Sequence, residues 1–234
     1  MDCDNISLQG LDQTNPCDNN QSGVKTAFLC PVKDILAINA THVSSPTSLD
    51  DFVTIGASTL DRLAITCKPG KGFVKIYSAD DMGELKYTQQ GTILGCRSWK
   101  GALELFHPGF KRTAIGLMAY INNQEVIVVA KLNNGQYHLL GDIDRGAKLA
   151  EGNEMTSGKA ATDNNGINPV LEYNCGRQQI FWDGFDPTDA TNGIPILSAV
   201  SADTESDPVV VDPNADPDPD PNADPDPNTD PNSD

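Results

Sequence analysis

FHPGFKRTAIGLMAYINNQEVIVVAKLNNGQYHLLGD, Phe106–Asp142, is the stretch on which the reading of the fold turns. Pro108-Gly109 stops the preceding run, and Phe110, Ala114, Leu117, Met118 and Ile121 then recur at the spacing of one helix face. Val126–Leu132 is a run of β-branched and aliphatic residues, apolar on both faces of a strand. Asn134-Gly135 predicts a type I′ turn, because that turn needs two residues that tolerate positive φ. Tyr137–Leu140 is the return strand. A helix and a doubly apolar hairpin are therefore expected, and both hairpin faces need cover from a second sheet, from the helix or from another subunit. The residues assigned to the core or to self-assembly are Phe110, Leu117, Ile121, Val126, Val128, Tyr137 and Leu139. This is scaffold and has no active-site character.

Before it, residues 1–23 are rich in Asn, Asp, Gln and Gly and read as a flexible arm that orders on meeting a neighbour. Val24–Val32 and Asp34–Ile38 are the first expected strands, with Pro31 marking an edge or bend. His42–Asp51 reads as a loop, and Phe52–Ile55 and Arg62–Cys67 as short strands. Phe73–Tyr77, Leu85–Gln89 and Trp99–Phe106 continue the series. After the hairpin, Asp144–Gly166 reads as a long polar loop or an irregular extension, and loops of that length are usually functional or disordered. Val170–Cys175 and Gln178–Trp182 are expected to pair around Gly176-Arg177, and Ile194–Val200 is the last apolar run. Strands at this density with one clear helix predict a mainly β domain over residues 24–200, a sandwich or barrel with a flanking helix.

Residues 201–234 differ in kind. DPNADPDP at 212–219 recurs at 220–227. From Asp203 onward there are 11 acids and no base, so the preceding residues hold 22 of the 33 acids against all 16 bases, a net charge of −6. Proline at close intervals fixes φ and like charges repel, which predicts an extended or disordered solvated tail. Its aspartates lack the glycine that a calcium loop places at its sharp turn, so a solubilising spacer is the expected role.

The body is not basic enough to grip nucleic-acid phosphates. Cys3, Cys17, Cys30, Cys67, Cys96 and Cys175 have no CxxC spacing, and His42, His107 and His138 have no ligand spacing, so no metal site is expected. Free thiols of a reducing cytoplasm are the reading, with a disulfide among Cys3, Cys17 and Cys30 open once the protein leaves the cell. No secretory signal opens the chain, and no apolar run approaches the roughly 18 residues of a membrane span, so a soluble protein without membrane contact is expected. Lys68-Pro69-Gly70-Lys71-Gly72 lacks the phosphate-loop frame and reads as a turn. No nucleophile stands beside a base in a catalytic frame, so neither catalysis nor a cofactor is expected. Lys111 and Arg112 sit in the first helical turn, where the macrodipole disfavours cations by about a few tenths of a kcal/mol. Acids on a neighbouring subunit would offset that, or both charges are simply solvated.

The runs GVKTAFLCPVKDILAI, GELKYTQQGT, ALELFHPGFKRTAIGLMAYINNQEVIVVAKLNNGQYHLLGDIDRGAKLAEGN and TSGKAATDNNG resemble the tail tube (major tail) proteins of tailed bacteriophages, particularly those of Bacteroidota hosts. The resemblance covers most of residues 23–185 and leaves out the acidic repeat. It implies a non-enzymatic virion protein whose β-sandwich or barrel subunits, each with a flanking helix, assemble in the host cytoplasm into stacked, hexameric rings. The implied partners are further copies of the chain, the tape measure protein, other tail proteins, and double-stranded DNA passing through without sequence-specific binding. The alternatives are another virion part, such as a head decoration or tail completion protein, or a secreted β-sandwich surface module with an acidic stalk.

Overall fold

Two antiparallel neighbours flank the first described strand, and its sequence shows why it sits between them. Val24–Pro31 (β1) carries Ala27, Phe28, Leu29 and Cys30, all buried, so apolar side chains leave both of its faces. A strand of that kind is stable only between two layers. The computed structural model describes residues 21–56, 62–160 and 162–197. The chain divides into two units, Met1–Ala199 and Val200–Asp234. The expected tail at 201–234, and residues 1–20 of the expected arm, lie outside the described residues.

In chain order, β1 leads through a single 3-10 turn at Val32–Asp34 to β2 (Ile35–Ile38), α1 (Leu49–Val53), β3 (Thr54–Ile55), β4 (Ile65–Cys67) and β5 (Val74–Tyr77). Next come β6 (Glu84–Gln90), β7 (Ser98–Glu104), β8 (His107–Pro108), α2 (Arg112–Ile121), β9 (Val126–Leu132) and β10 (Tyr137–Leu140). Five further strands follow: β11 (Lys148–Leu149), β12 (Glu154–Thr156), β13 (Gly166–Asn168), β14 (Val170–Cys175) and β15 (Ile180–Phe181). The protein is mainly β. A six-stranded sheet runs β3-β15-β10-β9-β1-β5 and a four-stranded sheet β11-β14-β7-β6. Two small sheets, β12-β13-β8 and β2-β4, complete the described part.

The β9–β10 hairpin divides two cores. Val126, Val128, Ala130 and Leu140 face the first, with Leu103, Leu105 and Leu171 around the four-stranded sheet and Ala114, Met118 and Ile121 from α2. Ile127, Val129 and Leu139 face the second, with Phe28, Ile65, Phe73, Phe181 and Phe185. Full burial of one such aliphatic or aromatic side chain contributes roughly 1.5–3 kcal/mol. Both hairpin faces are thus covered within the chain: the second sheet and the helix cover one, and the segments around β2, β4 and β15 cover the other. The double apolarity therefore needs no second subunit.

Several expectations need correction. The hairpin turn is not type I′. Leu132 accepts from the Gly135 N–H at 3.0 Å, only Gly135 of the loop has positive φ (+96°), and Leu132 N–H donates to Gln136 at 2.9 Å. A three-residue loop, Asn133-Asn134-Gly135, thus ends in a glycine bulge, the next most common solution after two-residue turns. Phe110 is not on the buried helix face. Lys111 is the N-cap, so Phe110 precedes the helix and stands 41% exposed, its N–H donating to Asn165 Oδ1 at 2.8 Å.

Phe52, expected in a strand, lies in α1. The reason is a capping box: the Asp51 N–H donates to Ser48 Oγ and the Ser48 N–H to the Asp51 carboxylate, both at 3.1 Å. Asp144–Gly166 holds β11, β12 and the start of β13. Its strands pair through backbone groups that need little side-chain apolarity, so composition conceals them. Finally, β14 and β15 do not pair with each other. β14 joins β7 and β11 in one sheet, while β15 joins β10 and β3 in the other.

Candidate assembly surface

β6 is an edge. It pairs with β7 over seven register positions, from Glu84↔Glu104 to Gln90↔Ser98, and among the described residues has no strand on its other side. A long unpaired edge presents a row of backbone donors and acceptors to any strand that approaches it. Alternation places Leu85, Tyr87, Trp99, Leu103, Leu171 and Tyr173 against the first core. The residues between them form the outer face, in rows that follow the register: Glu84, Glu104 and Val170; Lys86, Ala102, Glu172 and Lys148; Thr88, Lys100 and Asn174. This face carries three glutamates against three lysines. Lys100 Nζ meets Glu172 Oε1 at 2.6 Å, and Lys148 turns to Glu125 at 2.8 Å. A depression of about 550 Å³ lies over Lys100, Lys148 and Glu172.

The turn joining β6 to β7 is the most exposed apolar feature among the described residues. Gly91 and Gly95 take positive φ, +84° and +88°, and the Cys96 N–H donates to the Ile93 carbonyl at 3.0 Å. Between the glycines, Ile93 is 69% exposed and Leu94 85%. The sequence signal was available, an Ile-Leu pair in a turn otherwise composed of Gly, Thr, Cys and Arg, but neither residue was among those singled out.

The singled-out residues separate. Ile121, Val126, Val128 and Leu139 are buried, Leu117 and Tyr137 are partly buried against the first and second cores, and Phe110 is exposed. Lys111 and Arg112 form no ion pair among the described residues, and the first turn of α2 has no acid.

The histidines and thiols serve packing or stand apart from one another. His138 joins Tyr87, with Nδ1 at 3.1 Å from the hydroxyl, and burial lowers its pKa to about 4. His42 is lowered to about 4 by burial and then by the Arg177 charge. His107 Nδ1 contacts the Tyr77 carbonyl at 2.9 Å. Cys30 lies on Cys67, Sγ to Sγ 3.9 Å, so the partner of Cys30 within the described residues is a residue the spacing did not suggest. Cys3 and Cys17, the other members of the expected disulfide set, lie outside the described residues. Among the described residues no three His, Cys, Asp or Glu side chains gather as a metal site would require. No protein-family model matches the chain, and no curated protein matches its sequence.

Proposed function

We propose that this chain is a structural subunit of a phage tail tube, joining copies of itself edge to edge into rings, hexameric in the family it resembles, that stack into a conduit for double-stranded DNA. The observation that carries the reading is the free β6 edge, Glu84–Gln90, ending in the exposed Ile93-Leu94 turn. A strand of a second copy laid on that edge satisfies the open backbone groups, and the apolar tip gains cover in the same step. The outer face beside it has equal numbers of lysine and glutamate, so it offers no net positive field to hold a polyanion in transit. The resemblance over residues 23–185 supports the same reading. The tape measure protein and other tail proteins are the further partners, and the virion tail is the place of action.

Sedimentation at rising concentration, with negative-stain microscopy, tests the proposal. Rings or tubes are expected from the full chain, and monomers from the variant Ile93→Asp, Leu94→Asp with unchanged thermal stability. A full chain with intact termini that stays monomeric at high concentration overturns the reading. Assembly that survives the double substitution removes the edge and tip as its site.

A further inference from the structure

β1 ends beside the end of β4, and the two strands bring together a pair of thiols 37 residues apart in sequence. Cys30 is fully buried in the second core, whereas Cys67 is partly exposed. Their sulfurs stand 3.9 Å apart, a hydrogen-bonding distance for two thiols. A disulfide needs about 2.05 Å, so closure draws the two sulfurs together by side-chain rotation. We propose that Cys30 and Cys67 are a redox pair that closes into a disulfide in an oxidising environment and locks the excursion from Val32 to Thr66 onto the six-stranded sheet. The inference is independent of the tube reading.

The roles of the two thiols differ. Cys67 can be reached from solvent, and its contact with Cys30 pulls its pKa below the ordinary thiol value. The same contact, and then burial, push Cys30 up. Cys67 is thus the attacking group. With oxidised glutathione as oxidant, the Cys67 thiolate attacks one sulfur, forms a mixed disulfide and expels one glutathione thiolate. Cys30 then gives up its proton and attacks the Cys67 sulfur, expelling the second glutathione. Two protein thiols and one glutathione disulfide become one protein disulfide and two glutathione thiols. The loop so closed contains the 3-10 turn, β2, α1, β3 and the start of β4, all short elements. Cross-linking such a loop restricts the unfolded chain.

The test is oxidation of the reduced full chain with oxidised glutathione, alkylation of remaining thiols, and tryptic mass spectrometry. The expected product joins peptide 26–33 to peptide 63–71, with the loss of two hydrogens. A melting temperature raised by several degrees in the oxidised form is expected, a difference lost in Cys67→Ser and kept in Cys96→Ser. Recovery of Cys30 and Cys67 as alkylated thiols overturns the proposal, and so does a link from Cys30 to Cys3 or Cys17. A Cys30–Cys67 link that leaves the melting temperature unchanged overturns the lock.

Discussion

The Tyr87 hydroxyl and the His138 imidazole meet at 3.1 Å, one from the four-stranded sheet and the other from the six-stranded sheet. Between largely aliphatic layers this is a polar tie that crosses the first core. The rings lie 5.9 Å apart and tilted by 33°, and the other His138 nitrogen, Nε2, is buried without a hydrogen-bond partner among the described residues. Burial drives the Tyr87 pKa up and the His138 pKa down, so both groups are neutral at pH 7.

A pH dependence follows from His138. Its folded pKa of about 4 lies below the ordinary 6.5, so between those values the unfolded chain binds more protons than the folded one. The stability His138 contributes is therefore complete above about pH 6.5 and is lost as pH falls toward 4, by on the order of 3 kcal/mol. Denaturant unfolding at pH 7 and pH 4.5 should show that loss, and His138→Gln should show a smaller one. His42, also lowered to about 4, adds a slope of the same sign that remains in that variant. An unchanged pH slope in His138→Gln removes His138 as its source.

Tyr87→Phe separates the hydrogen bond from the burial. It should cost about 1–2 kcal/mol, because the imidazole is left without its one partner. The pH slope should persist, since desolvation and not the tyrosine sets it. Equal stability of the Phe variant and the parent at pH 7 would show that the tie contributes nothing net.

The two neighbours Leu117 and Met118 test the orientation of α2. Met118 is 5% exposed in the first core, while Leu117 is only partly buried against it. Met118→Asp should destabilise by on the order of 3–5 kcal/mol, as an unpaired buried charge does. Leu117→Asp should cost about 1–2 kcal/mol. Thermal melts giving the reverse order would mean that the helix is rotated.

Deleting residues 201–234 should leave the melting temperature within a degree or two, because both cores lie within the first unit. Within the tube reading, the charge of the acidic repeat keeps tubes apart. Truncated tubes should then bundle laterally at moderate salt, with the repeat of intact tubes open to protease. Loss of ring formation on truncation would count against an external spacer.

The sequence by itself determined the elements whose pattern is strong. Val126–Leu132 was legible as a strand to the residue, because six β-branched and aliphatic residues interrupted only by Lys131 admit little else, and the α2 periodicity located the helix within two residues of its start. Local pattern does not carry partner choice. Whether the hairpin's second face is covered by Phe73 and Phe181 or by another subunit depends on residues about 50 positions away, and only the tertiary structure decided it. The same holds for β14 and β15, adjacent in sequence yet in different sheets, and for Cys30 and Cys67, whose spacing follows no motif. The hairpin turn shows the limit most locally. Asn134-Gly135 suits both a two-residue type I′ turn and a three-residue loop with a glycine bulge, and the pairing of Leu132 with Gln136 selected the second.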